Sequence, residues 1–140
     1  MARDQYLDTL GRVRLFSSLS KKDLQKIARA SDEVDVPAGK TVVEQGTTGR
    51  ECYVILDGEA MVKRNGRKVA SLGAGDPFGE LALLDRGERT ATVEAVTPLR
   101  VLVIGQREFS GVVDEVPGLA HKLLASLAER IRELDQKAYG

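Results

Sequence analysis

Apolar positions recur along this chain in two rhythms, and the change of rhythm divides it into three parts. Over residues 4–30 the interval is helical: Tyr6, Leu7, Leu10 and Val13 share a face, Leu15-Phe16 closes that unit before Ser17-Ser18, and Leu24, Ile27 and Ala28 make a second stripe. Ser20 followed by Asp23 resembles a capping box with Asp in the usual Glu place, so a second helix starts there. From Val34-Asp35-Val36 onward the interval is two. Pro37-Ala38-Gly39-Lys40 is a turn, Thr41-Val42-Val43-Glu44 a strand, and Cys52 to Leu56 a strand that stops at Asp57-Gly58, a hairpin signal. Glu59 to Lys63 and Lys68 to Leu72 flank a second tight turn at Asn65-Gly66. Val101-Leu102-Val103-Ile104, entered past Pro98, Leu99 and Arg100 and ended by Gly105, is a continuous apolar run that suits a strand covered on both faces. Helical spacing then returns over 107–138. Glu108 to Val113 predicts a short helix, and Pro117 suits the first turn of the next. That last helix carries Leu119, Leu123, Leu124, Leu127, Ile131 and Leu134 as a seam, with Glu129, Arg130, Arg132, Glu133 and Lys137 on the other face. Many short strands at spacings of ~8–12 residues with glycine turns imply a sandwich or barrel, not a parallel α/β sheet.

One stretch asks for a chemical explanation. Gly79 precedes a helical turn at Glu80 to Leu84, which leaves through Asp85-Arg86-Gly87, and alternation resumes over Ala91 to Ala95. A glycine before such a turn permits close approach to the backbone, and the first amides of the turn lack partners within it, so the spot attracts a phosphate. Arg89 supplies a charged fork suited to two phosphate oxygens. Glu80 only accepts, so it suits a pair of hydroxyls or an amine. One fork and one carboxylate fit a sugar phosphate, and Gly79, Ala82 and Ala91 leave room for it. Strict alternation sets Arg89, Ala91, Val93 and Ala95 on one face and Thr90, Thr92 and Glu94 on the other. The same residues also permit a plainer arrangement, in which Glu80 and Arg89 pair with each other and Asp85 to Arg89 is a solvated turn.

Composition narrows the function classes. The 140 residues suffice for one domain with a packed core, and 21 basic side chains balance 21 acidic ones, so no global field draws the protein to nucleic acid or acidic lipid. The lone Cys52 reads as a buried small hydrophobe, consistent with a reducing cytosol. No apolar run approaches the ~20 residues of a membrane span and no signal peptide is evident, which predicts a cytoplasmic protein with no membrane partner. His121 stands without metal-spaced ligands, so neither a metal nor an enzymatic role is expected.

Phe78-Gly79-Glu80-Leu81-Ala82-Leu83-Leu84 and Arg89-Thr90-Ala91-Thr92-Val93 together resemble the phosphate-binding cassette of the cyclic nucleotide-binding domains, found in cAMP-dependent kinase regulatory subunits, catabolite activator proteins and cyclic nucleotide-gated channels. Val42-Val43-Glu44-Gln45-Gly46, Tyr53 to Gly58 and Leu72-Gly73-Ala74-Gly75-Asp76 extend the resemblance. It implies a mainly β fold with flanking helices, a β-roll of the jelly-roll kind: one domain over 1–140, with N-terminal helices at 4–30, the roll at 34–105, a cassette at 77–91 and C-terminal helices at 107–138. It implies cAMP as ligand, with cGMP as the alternative and no metal. Arg89 would hold the exocyclic phosphate oxygens and Glu80 the ribose 2′-hydroxyl, with the backbone at Gly79 beside it. The Leu81 and Ala82 amides would complete the phosphate contacts; Phe78, Thr90 and Ala91 would line the wall, and Thr90 could reach a guanine amino group. Glu88 stands where many members carry proline, which predicts a less stiff arginine loop. The C-terminal helix would close over the base, pack on the roll or form a homodimer, and signal to an effector protein by rearranging. A structural, oligomerising domain without ligand is the rival expectation.

Overall fold

The computed structural model describes residues 6–139; the first two residues of the expected helical stretch, 4 and 5, lie outside them. Two short helices open the described chain, α1 (Leu7–Gly11) and α2 (Lys21–Arg29), with a 3-10 turn at Arg14–Phe16 between them. Eight strands follow: β1 (Ser31–Val36), β2 (Thr41–Val43), β3 (Glu51–Asp57), β4 (Ala60–Arg64), β5 (Arg67–Leu72), β6 (Pro77–Phe78), β7 (Thr92–Ala95) and β8 (Leu99–Gly105). A 3-10 turn at Glu80–Leu83 separates β6 from β7, and α3 (Gln106–Glu115) and α4 (Leu119–Tyr139) close the order. The strands form two four-stranded sheets, in the orders β1-β8-β3-β6 and β2-β7-β4-β5, and every pairing is antiparallel. This is the jelly-roll β-roll with helices at both ends of the sequence.

The apolar run in β8 explains how the layers hold together. Successive side chains on a strand face opposite ways. Leu99 and Val101 therefore enter the space between the sheets, with Val36, Ile55, Ala60 and Val93. Leu102 and Ile104 join the other core, against Phe16, Ile27, Phe109 and Leu119 of the helices. β8 is central in its sheet, paired with β1 and β3, so both its edges and both its faces are covered.

The capping box at α2 is present: Asp23 N–H donates to Ser20 Oγ and Ser20 N–H to Asp23 Oδ2, each at 3.1 Å. Asp23 is also buried and receives Lys122 Nζ of α4 at 2.8 Å. Burial raises its carboxyl, but the bond from Lys122 and those from Ser20 outweigh it, so the group sits below the ordinary carboxylate range. Ser126 Oγ donates to Ser18 Oγ at 3.1 Å, and Arg14 pairs with Glu133, so α4 is fastened along the N-terminal helices by polar contacts.

Three expectations are corrected. Asp57-Gly58 does not make a hairpin: β3 and β4 lie in different sheets, and the turn carries the chain between them, where the Glu59 carbonyl accepts the amides of Val96 and Thr97. Pro117 stands ahead of α4, not in its first turn, because Gly118 at φ +81° intervenes. The first helical unit is interrupted after Gly11, with Val13 extended before the 3-10 turn, although Tyr6, Leu7, Leu10 and Val13 all reach the core as their spacing predicts. Asn65-Gly66 is the tight turn expected, both residues having positive φ. No helix among the described residues is long and apolar enough to cross a membrane.

Candidate functional site

Between the Glu80–Leu83 turn, the Arg89 loop, the β4–β5 hairpin and α4 lies a cavity of about 490 Å³. Phe78, Gly79, Glu80, Leu81, Ala82, Arg89, Thr90 and Ala91 all line it. Gly79 enters the turn at φ +75°, a left-handed conformation that side chains strain, and a Cβ there would fall on Arg89 Nη1. A Cβ on Gly49 would stand 2.9 Å from Arg89 Cζ. The guanidinium thus occupies a slot that two glycines keep open.

Arg89 and Glu80 do not pair with each other. Arg89 Nη2 donates to the Glu51 carbonyl at 2.8 Å, and its Cζ stands 5.9 Å from the centre of the Tyr53 ring. Tyr53 stacks on Phe78, ring centres 4.9 Å apart. Burial, then the Glu51 carboxylate, pushes the Tyr53 phenol up to about 12, so the guanidinium faces a neutral ring. One terminal nitrogen is held by the protein while the other lies against Gly79 at the cavity. That fixes the fork's orientation before any anion arrives.

Glu80 takes a different partner: Arg130 of α4, whose Nη1 donates to Oε1 at 2.7 Å. Oε2 is buried and has no hydrogen-bond partner. An unpaired buried carboxylate oxygen is costly, by about 1–3 kcal/mol or more. It is an acceptor without a donor, on a residue that lines the cavity.

The turn itself differs from expectation in one respect. The Ala82 amide donates to the Gly79 carbonyl at 3.2 Å, so it closes the 3-10 turn instead of pointing free. Around Glu88 the arginine loop is tied to the segment 46–49 by backbone hydrogen bonds. Arg89 N–H donates to the Thr47 carbonyl at 2.7 Å, Gly46 N–H to the Arg89 carbonyl at 2.9 Å, and Gly49 N–H to the Gly87 carbonyl at 3.1 Å. Glu88 itself forms an isolated antiparallel bridge with Thr48. Thr90 is exposed at the loop-to-strand junction, while Val93 and Ala95 point into the roll.

Sequence reasoning missed two arginines at the cavity. Arg130 reads as one more charge on a solvated helix face, yet α4 turns it inward to Glu80. Arg64 lies past the strand expected to end at Lys63, and its Nε donates to the Thr90 carbonyl at 3.2 Å. A cue existed for Arg64, since it follows the apolar Val62 by two. Cys52 is fully buried, and burial, followed by the charge of Glu80, pushes its thiol up, so it stays protonated and unreactive. His121 is exposed, and among the described residues no group of three or more His, Cys, Asp and Glu could hold a metal.

The sequence matches the family described as "Cyclic nucleotide-binding domain" over residues 33–115. It is 43% identical over 106 residues to a cAMP-dependent protein kinase regulatory subunit of Schizosaccharomyces pombe, covering 75% of this chain and 26% of that protein. It is 36% identical over 104 residues to the Cyclic AMP receptor protein of Thermus thermophilus, covering 71% of this chain and 48% of the other. Among solved structures, the N-terminal domain of a transcriptional regulator from Streptomyces coelicolor superposes with a TM-score of 0.83 at 30% identity, over 92% of this chain and 96% of that one. The chain thus spans about a quarter to a half of the length of these two curated relatives.

Proposed function

The chain belongs to the cyclic nucleotide-binding domain family, and we propose that it is a cytoplasmic sensor that binds cAMP and reports occupancy through its helices, without catalysing a reaction. The observation that carries this reading is that Glu80, whose Oε2 has no partner, and Arg89 line the same cavity. A cyclic ribose phosphate brings both complements at once. Its phosphate meets Arg89 and its 2′-hydroxyl donates to Glu80. The names of the relatives, a cAMP-dependent kinase subunit and a cyclic AMP receptor, support cAMP ahead of cGMP.

Transmission follows from the second oxygen of Glu80. Oε1 already holds Arg130, so a hydroxyl on Oε2 links ligand, carboxylate and α4 into one hydrogen-bonded chain. An effector protein contacting α4 would read that linkage.

A charge-assisted contact is worth about 1.5–3 kcal/mol, so Arg89→Ala should weaken cAMP at least about tenfold by calorimetric titration. Undiminished binding would overturn the assignment. A second reading, a homodimerising domain without ligand, is favoured by the exposure of Leu124, Ile131 and Leu134 on α4. A thermal melt separates the two: ligand at about 100 times its Kd adds ~2.7 kcal/mol to a sensor and nothing to the alternative.

A further inference from the structure

Arg64 has no place in the reading above, and its surroundings give it one. It ends β4 at the tip of the β4–β5 hairpin. Val62 and Arg64 both line the cavity, while Lys63 between them turns away to Glu94 at 2.7 Å. The tip is braced: Asn65 N–H donates to Gln45 Oε1 and Gln45 Nε2 to Asn65 Oδ1, both at 2.9 Å. The bond from Nε to the Thr90 carbonyl then sets the direction of the guanidinium. Its terminal nitrogens make no other hydrogen bond or ion pair among the described residues.

The cavity is chemically divided. Arg89, Gly79 and Glu80 occupy the end that a sugar phosphate suits. Val62 and Leu72, on β4 and β5, offer the apolar surface on which a flat base would lie, and Arg64 stands at the edge of that surface. Donors at the rim of an apolar shelf meet the edge of the ring system, not its face. Purines present there an acceptor at N7. Guanine adds a second acceptor at O6, where adenine has an amino donor.

We infer that Arg64 is a specificity-determining residue that reads the base, its terminal N–H groups donating to N7 of a purine and, in guanine, to N7 and O6 together. The inference rests on the reading of this cavity as a cyclic nucleotide site. It follows that Arg64 favours cGMP relative to cAMP and narrows the cAMP preference proposed for the site. A planar fork is required for the two-point contact; a lysine ammonium of the same charge does not supply one.

The test is calorimetric titration of cAMP and of cGMP into the wild type, Arg64→Ala and Arg64→Lys. Loss of a two-point contact to guanine should weaken cGMP about tenfold in Arg64→Ala, with cAMP weakened about threefold or less. Arg64→Lys should show the same fall in the cGMP-to-cAMP ratio, which separates geometry from charge. An unchanged ratio in Arg64→Ala overturns the inference, whether both affinities fall together, as for a residue acting on the shared phosphate, or neither falls. If Arg89→Ala abolishes binding while the Arg64 ratio stays fixed, the nucleotide site stands and only the base reading is lost. A wild type that binds neither nucleotide overturns both.

Discussion

β8 and the outer half of α4 carry apolar patterns of similar strength and meet opposite fates. Leu99, Val101, Leu102 and Ile104 of β8 are buried, with both strand edges paired and a core on each face. Leu119 and Leu123 at the start of α4 are buried too, but Leu124 beside them is 62% exposed, and Ile131 and Leu134 in the outer half are 64% and 58% exposed. Beyond Leu127 the helix is held by ion pairs, Arg130 to Glu80 and Glu133 to Arg14, not by packing. An apolar rhythm therefore fixes the kind of element, while burial depends on what else the fold brings to that face. The contrast suits a sensor: a frame that cannot yield and a reporter attached by contacts worth little each.

The sharpest version of the contrast is a pair of truncations to alanine, beginning with the frame. Leu102 is fully buried between sheet and helices, so Leu102→Ala should cost about 2–5 kcal/mol in a urea unfolding series. A cost below 1 kcal/mol would mean that the centre of the roll tolerates a cavity as readily as α4 tolerates solvent, and the distinction would fail.

Next in size is the anchor between the two regions. Lys122 lies on the inner half of α4 and meets the buried carboxylate of Asp23. Lys122→Ala should destabilise by about 1–2 kcal/mol at neutral pH, because it strands a desolvated charge while removing a half-exposed one. The sign of the pH dependence follows from the depressed folded-state pKa of Asp23. Its stabilisation is present above the unfolded value of about 3.9 and is lost as pH falls through the folded value. Wild type and variant should therefore converge in acid; a gap that stays constant from pH 7 to below 3 would remove Asp23 from the account.

Much of this frame was legible beforehand for a reason that can be named. β8, the Ser20–Asp23 cap and the Asn65-Gly66 turn are determined by neighbours in sequence, so spacing and residue type suffice. The eight candidate residues from Phe78 to Ala91 likewise fall on one short stretch, and the structure gathers all of them around one cavity. What spacing could not supply was anything contributed from afar. β6 is two residues long and exists because β3 offers it an edge. Asp57-Gly58 has hairpin chemistry but joins two sheets, since β4 finds its partners in β5 and β7. Arg130 reaches Glu80 across fifty positions, and nothing local on a helix tells an inward arginine from a solvated one.

Arg130 itself tests whether the outer half of α4 is a reporter or merely a tail. Arg130 is about a third exposed but Glu80 is largely buried, so Arg130→Ala leaves that carboxylate without its cation and should destabilise by about 1 kcal/mol. Its larger effect is on coupling. Amide exchange over residues 128–138 should slow when saturating cAMP is added to the wild type, and slow much less in the variant, although cAMP still binds. Equal protection in both proteins would show that the signal leaves the cavity by another route.

The smallest effect belongs to the far end of the seam. Ile131 loses almost no buried contact on truncation, so Ile131→Ala should lie within about 0.5 kcal/mol of wild type, in contrast to Leu102→Ala on the same scale. The measurement is a pair of thermal melts at protein concentrations about a hundredfold apart, because a seam covered by a second copy makes the melting temperature rise with concentration. Agreement between the two concentrations, and between variant and wild type, leaves the outer half of α4 uncovered and the contrast with β8 intact. A concentration-dependent melt that Ile131→Ala abolishes would bury this seam in a homodimer, and the two apolar patterns would then differ only in whether their cover comes from the same chain.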